Sequence, residues 1–195
     1  MWWSKNLSIG ILICFVLIGC KKEQSIEIPN NTELAEFIFP FNIEEIGSAT
    51  FYSYYNRWMI QEEESFSVEW EDTLQENPDF PYDNKYLKNK VELTTEEIEL
   101  FYKGLSGNMN SNKKIISSDC FEPRQLLLFR NKEDKFLAHI EWCWECNTFQ
   151  VSKNLQGIPL ENVLQWSGWM LQKKWISNKD ISVNREEEII QFKQL

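Results

Sequence analysis

Polar and apolar positions alternate along the first half of the chain in a way that predicts β-strands. Residues 51–60 are rich in aromatic side chains and extended in character. Phe66, Val68 and Trp70 alternate with polar neighbours, which is typical of a half-buried strand. Residues 87–93 form a further candidate strand. We therefore expect several strands before residue 94.

The sequence after residue 93 predicts a helix. Thr94 and Glu97 have the spacing of a capping box, in which each side chain bonds the backbone N–H of the other residue. Ile98, Phe101 and Leu105 follow at helical spacing, so they are expected to form one apolar face.

Two apolar runs, residues 125–130 and 135–142, are separated by four polar residues and predict a β-hairpin. Successive residues of a strand point to opposite faces. The expected first face of the second strand consists of Phe136, Ala138, Ile140 and Trp142. The expected second face consists of Leu137, His139, Glu141 and Cys143.

The rest of the chain completes the predicted fold. Pro159 stands at a typical first helical position, and residues 160–175 carry apolar side chains at roughly helical spacing. Residues 184–195 predict a last helix or strand. Helices do not alternate with strands often enough for a doubly wound parallel sheet. The predicted class is α+β, a largely antiparallel sheet with a C-terminal β-hairpin and two or three packed helices.

The first 19 residues have the features of an export signal. Lys5 precedes an apolar run over residues 7–19, which is shorter than the roughly 20 residues of a transmembrane helix. The run ends in LIGC at residues 17–20, which resembles the lipobox of bacterial lipoproteins. The resemblance implies cleavage before Cys20, a diacylglycerol thioether on its sulfur, and acylation of the new amino terminus by a chain such as palmitate.

These features predict a lipoprotein of the cell envelope that is held on a membrane by the lipid on Cys20. Two or more acyl chains give a stable anchor, whereas one is marginal. Lys21 does not resemble the Asp that retains lipoproteins at the inner membrane, so the outer membrane is favoured. Residues 20–32 are polar and predict a tether, and residues 33–195 predict a single soluble domain. The alternative is an uncleaved signal anchor.

Composition narrows the classes of function. Hydrophobic residues make up 43% of the chain, enough for a packed core. The net charge of −10 argues against nucleic-acid binding, because phosphate backbones are negative. No catalytic residue is predicted, since no hydrolase, phosphate-binding or metalloprotease motif occurs. We therefore expect a non-catalytic binding or scaffolding domain with a protein or glycan ligand.

Three cysteines remain after the signal peptide and Cys20: Cys120, Cys143 and Cys146. The hairpin brings them to one end. The oxidising envelope favours a long-range disulfide from Cys120 to one of the others, which leaves one thiol over. A redox-active Cys143–Cys146 pair is an alternative. A second is a zinc site completed by His139, although His139 and Cys143 would be roughly 13 Å apart in an extended strand. No other cofactor is expected.

The segment around these cysteines resembles uncharacterised exported lipoproteins of the Bacteroidota. The resemblance is carried by C-F-x-P-R from Cys120 to Arg124 and by I-E-x-C-x-x-C from Ile140 to Cys146. Gln125 stands where His often follows in those proteins. The resemblance implies an envelope location and no particular activity.

Tryptophan is abundant enough to suggest a contact surface. Trp166, Trp169 and Met170 are the best candidates for an exposed aromatic patch that stacks on a sugar or peptide. Packing of the tryptophans in the core is the interpretation that we favour over such a surface.

Overall fold

The computed structural model describes residues 24–25, 39–65, 74, 79–106, 116–117, 120–158 and 166–195. The predicted signal peptide, Cys20 and the candidate strand at residues 66–70 lie outside these ranges. Within the described part, no helix is both long and apolar enough to cross a membrane.

A central sheet of five antiparallel strands organises the fold. The strands in the described residues are β1 (Gln24–Ser25), β2 (Ile46–Tyr54), β3 (Leu87–Glu92), β4 (Ile116–Ser117), β5 (Gln125–Asn131), β6 (Phe136–Cys143) and β7 (Thr148–Val151). The spatial order of the central sheet is β3-β2-β5-β6-β7. β1, which falls in the predicted tether, pairs separately with β4.

Five α-helices have described bounds. They are α1 (Arg57–Glu63), α2 (Thr95–Ser106), α3 (Trp166–Gln172), α4 (Asn178–Ile181) and α5 (Arg185–Phe192). Short 3₁₀ turns precede β2 and β3 and follow β7. The α+β class and the largely antiparallel sheet expected from the sequence are therefore confirmed.

The middle strands of the sheet are covered on both faces. On one face, Phe51, Leu127 and Trp142 join a core that includes Phe101 of α2 and Met170 of α3. The other face carries a second core, formed by Tyr52, Tyr54, Ile60, Leu74, Phe80, Tyr82, Tyr86, Leu126 and Leu128. Burial on both faces explains why the residues of β5 read as a continuous apolar run.

The local sequence signals around α2 and the hairpin are confirmed. The Thr94 backbone N–H donates to Glu97 Oε2 at 3.0 Å, and the Glu97 backbone N–H donates to Thr94 Oγ1 at 3.3 Å. Ile98, Phe101 and Leu105 are buried, as the helical spacing predicts. β5 and β6 pair as a hairpin whose turn places Asp134 at a φ of 60°.

Two sequence expectations are wrong in detail. Residues 51–60 are not wholly extended, because β2 ends at Tyr54 and α1 begins at Arg57. The side chain of Asn56 caps this helix by accepting from the Trp58 backbone N–H at 3.0 Å. Along β6, a bulge shifts the register between Ala138 and Phe136.

The bulge exchanges the faces of the first two residues of β6. Phe136 packs against the second core and Leu137 against the first, the reverse of strict alternation. An extra residue in one strand of an antiparallel pair moves each following side chain to the opposite face. The expected placement of His139, Glu141 and Cys143 on a shared face holds beyond the bulge, where the ladder with β5 is regular.

Candidate functional site

The three predicted cysteines meet at one end of the sheet. Cys120 precedes β5, Cys143 ends β6, and Cys146 lies in the turn to β7. A disulfide joins Cys143 to Cys146. The Cys120 Sγ lies 3.5 Å from the Cys146 Sγ. The expectation of a long-range disulfide to Cys120 is therefore wrong. The disulfide in the structure joins Cys143 to Cys146, the two cysteines of the C-x-x-C pair.

A tight turn explains why the short-range pair forms. Residues 144–147 connect β6 to β7, and the Asn147 backbone N–H donates to the Trp144 carbonyl at 3.2 Å. Asn147 adopts a φ of 51°, a left-handed conformation that Asn tolerates better than most residues. Cys143 and Cys146 thus approach to a Cα–Cα distance of 5.3 Å, within the range that a disulfide spans.

A network of charged side chains surrounds the sulfur cluster. The buried Arg124 guanidinium donates from Nε to Glu188 Oε2 at 2.9 Å and from Nη2 to Glu122 Oε2 at 3.2 Å. Its Nη1 lies 3.8 Å from the carboxylate of Glu145, a residue between the two disulfide cysteines. Arg185 of α5 pairs with Glu122 at 3.1 Å and with Glu145 at 3.7 Å.

This network ties the cysteine turn to the C-terminal helix. Lys88 of β3 donates to Glu188 at 2.9 Å, so Arg124, Arg185 and Lys88 balance three glutamates. Burial of Glu188 opposes ionisation, but hydrogen bonds from Arg124 and the nearby charges leave its carboxyl pKa below the ordinary value. Glu188 is therefore held as a carboxylate inside the fold.

A second buried polar group lies on the same sheet face as Cys143. The Glu141 carboxylate is fully buried, accepts from the Tyr54 hydroxyl at 2.5 Å and lies 3.4 Å from Arg57 Nη2. Burial raises the pKa of Glu141 to about 7, although Arg57 and the Tyr54 hydrogen bond oppose the rise. Burial also raises the pKa of Tyr54.

His139 lies in the middle of β6, four residues before Cys143. It sits opposite Leu128 in the ladder, is buried, and its ring lies beside Phe136. Burial, together with the nearby charge of Arg57, lowers the pKa of His139 to about 4. Among the described residues, no group of three or more His, Cys, Asp or Glu side chains is arranged to hold a metal ion. The geometry therefore does not assemble the predicted zinc ligands.

A cleft of about 990 Å³ opens between the C-terminal segment and the neighbouring ends of β2 and β3. Ser53 and Asn89 line it from the strands. Ser53 donates to Asp180 of α4 at 3.2 Å, and the Asn89 amide donates to the Trp175 carbonyl at 3.0 Å. These bonds hold the C-terminal segment over the sheet end, and Glu188 lines the cleft as well as binding Arg124.

Amide, hydroxyl and charged groups line the cleft together with the apolar side chains of Leu171, Ile176 and Val183. Its exposed amide side chains are Gln172, Asn178, Asn184 and Gln191. Three lysines line the cleft. Lys88 and Lys179 are paired with Glu188 and Glu187, and Lys174 is exposed. Trp175 also lines it, but this residue is only 5% exposed.

Core packing, the favoured interpretation, holds for Met170 and Trp169, and these two residues do not form the candidate aromatic patch. Met170 is fully buried, and Trp169 packs against the first core. The side chain of Trp166 lies outside the described part. Helix α3 instead turns its apolar residues onto Phe101 and Trp175.

Comparison with known proteins gives no relative from which to assign a role. No protein-family model, curated protein or solved structure matches the chain. The candidate sites therefore stand on their own geometry.

Proposed function

We propose that this protein is a lipid-anchored component of the cell envelope, most consistent with the outer membrane, whose folded domain binds a glycan without catalysis. The observation that carries the binding role is the cleft of about 990 Å³, a volume typical of ligand sites. The anchoring role is supported by the leader and the LIGC sequence that ends at Cys20.

The chemistry of the cleft favours an uncharged, hydroxyl-rich ligand. Amide side chains offer both donors and acceptors, which suits the hydroxyl groups of a sugar. Four of the six charged groups in the lining form two ion pairs, Lys88 with Glu188 and Lys179 with Glu187. The net charge of −10 disfavours an anionic ligand. A neutral oligosaccharide therefore fits this lining better than a nucleotide or an acidic peptide.

Titration calorimetry with a panel of neutral oligosaccharides of four to six sugars tests the binding role. At least one is expected to bind the full-length protein in detergent. Gln172→Ala, which removes an exposed amide from the cleft, should weaken that affinity at least threefold. Gln150→Ala is the matched control, because Gln150 is an exposed amide on the edge strand β7, outside the cleft. No binding at millimolar sugar would contradict the proposal.

The anchor is tested separately. Cells that express the chain and are labelled with radioactive palmitate should yield a labelled protein whose amino-terminal residue is Cys20. Cys20→Ala should abolish both the label and the cleavage. A mature protein that begins at Met1 would contradict the anchor and leave the glycan experiment unaffected.

A further inference from the structure

The three sulfur atoms have the arrangement of a thiol beside a disulfide. Thiol–disulfide exchange starts when a thiolate attacks one sulfur of a disulfide. Cys120 Sγ lies 3.5 Å from Cys146 Sγ, and Cys146 is bonded to Cys143. The attacking atom and its target are therefore already adjacent in the folded protein.

Only one of these residues is open to solvent. Cys143 is 1% exposed and Cys146 is 2% exposed, whereas Cys120 has intermediate exposure. A dissolved thiol or disulfide therefore reaches the cluster at Cys120. The Cys143–Cys146 bond lies behind it, out of contact with the solvent.

The surroundings of Cys143 suit it as a leaving group. The Cys146 backbone N–H donates to Cys143 Sγ at 3.3 Å. A hydrogen bond to a developing thiolate stabilises its charge. The nearby Glu145 carboxylate would oppose that charge, but it faces Arg124 at 3.8 Å and Arg185 at 3.7 Å.

The segments that carry the sulfurs are fixed to each other. The Arg124 backbone N–H donates to the Trp142 carbonyl at 3.1 Å. The Arg124 side chain also binds the Glu122 carbonyl at 2.9 Å and approaches Glu145. Arg124 thus connects the chain just after Cys120 with the turn that contains Cys146, and it acts as a positioning residue for the contact between the two sulfurs.

We propose that Cys120 is an exchange cysteine through which low-molecular-weight thiols and disulfides reduce and oxidise the buried Cys143–Cys146 pair. This activity is independent of the glycan cleft. It requires no bound cofactor, since the oxidant or reductant is the dissolved disulfide or thiol itself.

Oxidation of the reduced pair proceeds in three exchanges. Cys120 thiolate attacks a disulfide RS–SR, forms a Cys120–SR mixed disulfide and releases RS⁻. Cys146 thiolate then attacks Cys120 Sγ and releases the second RS⁻. Cys143 thiolate finally attacks Cys146 Sγ, forms the Cys143–Cys146 bond and returns Cys120 to a thiolate.

The overall reaction balances. Two electrons pass from Cys143 and Cys146 to RS–SR, and the two protons lost from these thiols are taken up by the two RS⁻ groups. Reduction by a thiol is the reverse sequence. Cys120 thiolate first attacks Cys146 Sγ and releases Cys143 thiolate. The dissolved thiolate RS⁻ then attacks Cys120 in the resulting Cys120–Cys146 disulfide.

The rate of reduction tests the role of Cys120. The full-length protein in detergent is mixed with excess reduced glutathione, quenched with acid and alkylated, and peptide mapping follows the thiols of Cys143 and Cys146 separately from the other cysteines. Cys120→Ser should slow their appearance at least tenfold in the native protein. In 8 M urea, where the disulfide is exposed in both proteins, the two rates should agree. A native rate within twofold of the wild type would overturn the proposal.

A second pair of variants tests the order of the exchanges. With oxidised glutathione, Cys143→Ser should form a Cys120–Cys146 disulfide, because Cys146 can still displace glutathione from Cys120. Cys146→Ser, the matched variant, should instead accumulate glutathione on Cys120. Equal accumulation of glutathione on Cys120 in the two variants would show that Cys146 does not resolve the mixed disulfide, and would overturn the proposal.

Discussion

Two buried ionisable side chains on the second face of the sheet respond to pH in opposite ways. Burial raises the pKa of Glu141 to about 7, so the folded protein keeps a proton that the unfolded chain releases. Burial lowers the pKa of His139 to about 4, so the folded protein rejects a proton that the unfolded chain binds. The contribution of Glu141 to stability therefore falls from about pH 4.5 to 7, whereas that of His139 rises from about pH 4 to 6.5.

Replacement of Glu141 should change how the free energy of unfolding depends on pH. The Glu141→Gln variant has no ionisable group at this position. The free energy of unfolding of the variant minus that of the wild type should therefore rise by about 3 kcal/mol between pH 4.5 and 7. Urea unfolding at several pH values measures this difference. Glu92→Gln, an exposed control at the end of β3, should leave the shape of the pH profile unchanged. A constant difference between Glu141→Gln and the wild type across the range would contradict the assignment.

Some contacts between individual residues could be predicted from the sequence, and others could not. The meeting of Cys120, Cys143 and Cys146 was predictable, because an antiparallel hairpin returns the chain to its starting end. The choice of partner was not, since it depends on the backbone of a four-residue turn. The burial of Glu141 with Arg57 had no local signal, because α1 follows a strand that looked continuous.

At the scale of elements, side chains in the first turn of α2 determine where this helix begins. The reciprocal bonds between Thr94 and Glu97 satisfy two backbone N–H groups that a helix otherwise leaves without partners. Thr94→Ala should therefore lower the free energy of unfolding by about 1 kcal/mol. Thr95→Ala is the matched control, since Thr95 is equally exposed and makes no capping bond, and its effect should be under about 0.5 kcal/mol. Chemical unfolding in urea distinguishes the two.

The start of β2 depends on a close approach of two backbones. A Cβ at Gly47 would lie 2.3 Å from the carbonyl oxygen of Asn131, the last residue of β5, and 2.7 Å from Cα of Lys132 in the hairpin turn. Gly47→Ala should therefore destabilise the fold by about 2 kcal/mol. Gly168→Ala provides the control, because a Cβ there meets nothing within 4 Å and Gly168 lies inside α3. That variant should gain up to about 1 kcal/mol, and a loss in both variants would contradict the steric account.

Elements with strong local signals were predicted well, and those shaped by tertiary contacts were not. The capping box of Thr94 and the two apolar runs of the hairpin are short-range features of the sequence. The bulge at Leu137 and the onset of α1 at Arg57 depend on how the strands meet their neighbours. Asn56 was the available signal for α1, since Asn is a preferred residue at a helix start.

At the scale of the whole molecule, the C-terminal segment joins both sides of the sheet. Met170 and Trp175 belong to the first core, whereas Phe192 stacks on Tyr86 of the second core at a ring distance of 5.4 Å. The buried pair of Arg124 and Glu188 lies between these two anchors. The cleft residues are thus drawn from β2, β3 and the last 25 residues, a combination that no local sequence pattern indicates.

Loss of the central ion pair should loosen this segment. Arg124→Ala leaves the buried Glu188 carboxylate without its main partner, so the free energy of unfolding should fall by about 3 kcal/mol. Lys103→Ala is the control, because the pair of Lys103 with Glu99 is exposed and should be worth less than about 0.5 kcal/mol. Urea midpoints compare the two, and hydrogen exchange should locate the added opening of Arg124→Ala in α5. Equal, small losses would contradict the role of the buried pair.

The two edge strands of the central sheet, β3 and β7, determine whether neighbouring copies of the protein can join through their sheets. An uncovered strand offers unpaired N–H and C=O groups on which a neighbouring copy can add its own strand. β7 has only four residues, and β3 carries Lys88 and Lys90 on alternate positions. Short length and charged side chains both discourage such addition. Proteins confined to a surface collide far more often than in dilute solution, so these two features would limit polymerisation if the proposed anchor holds copies of the protein on a membrane.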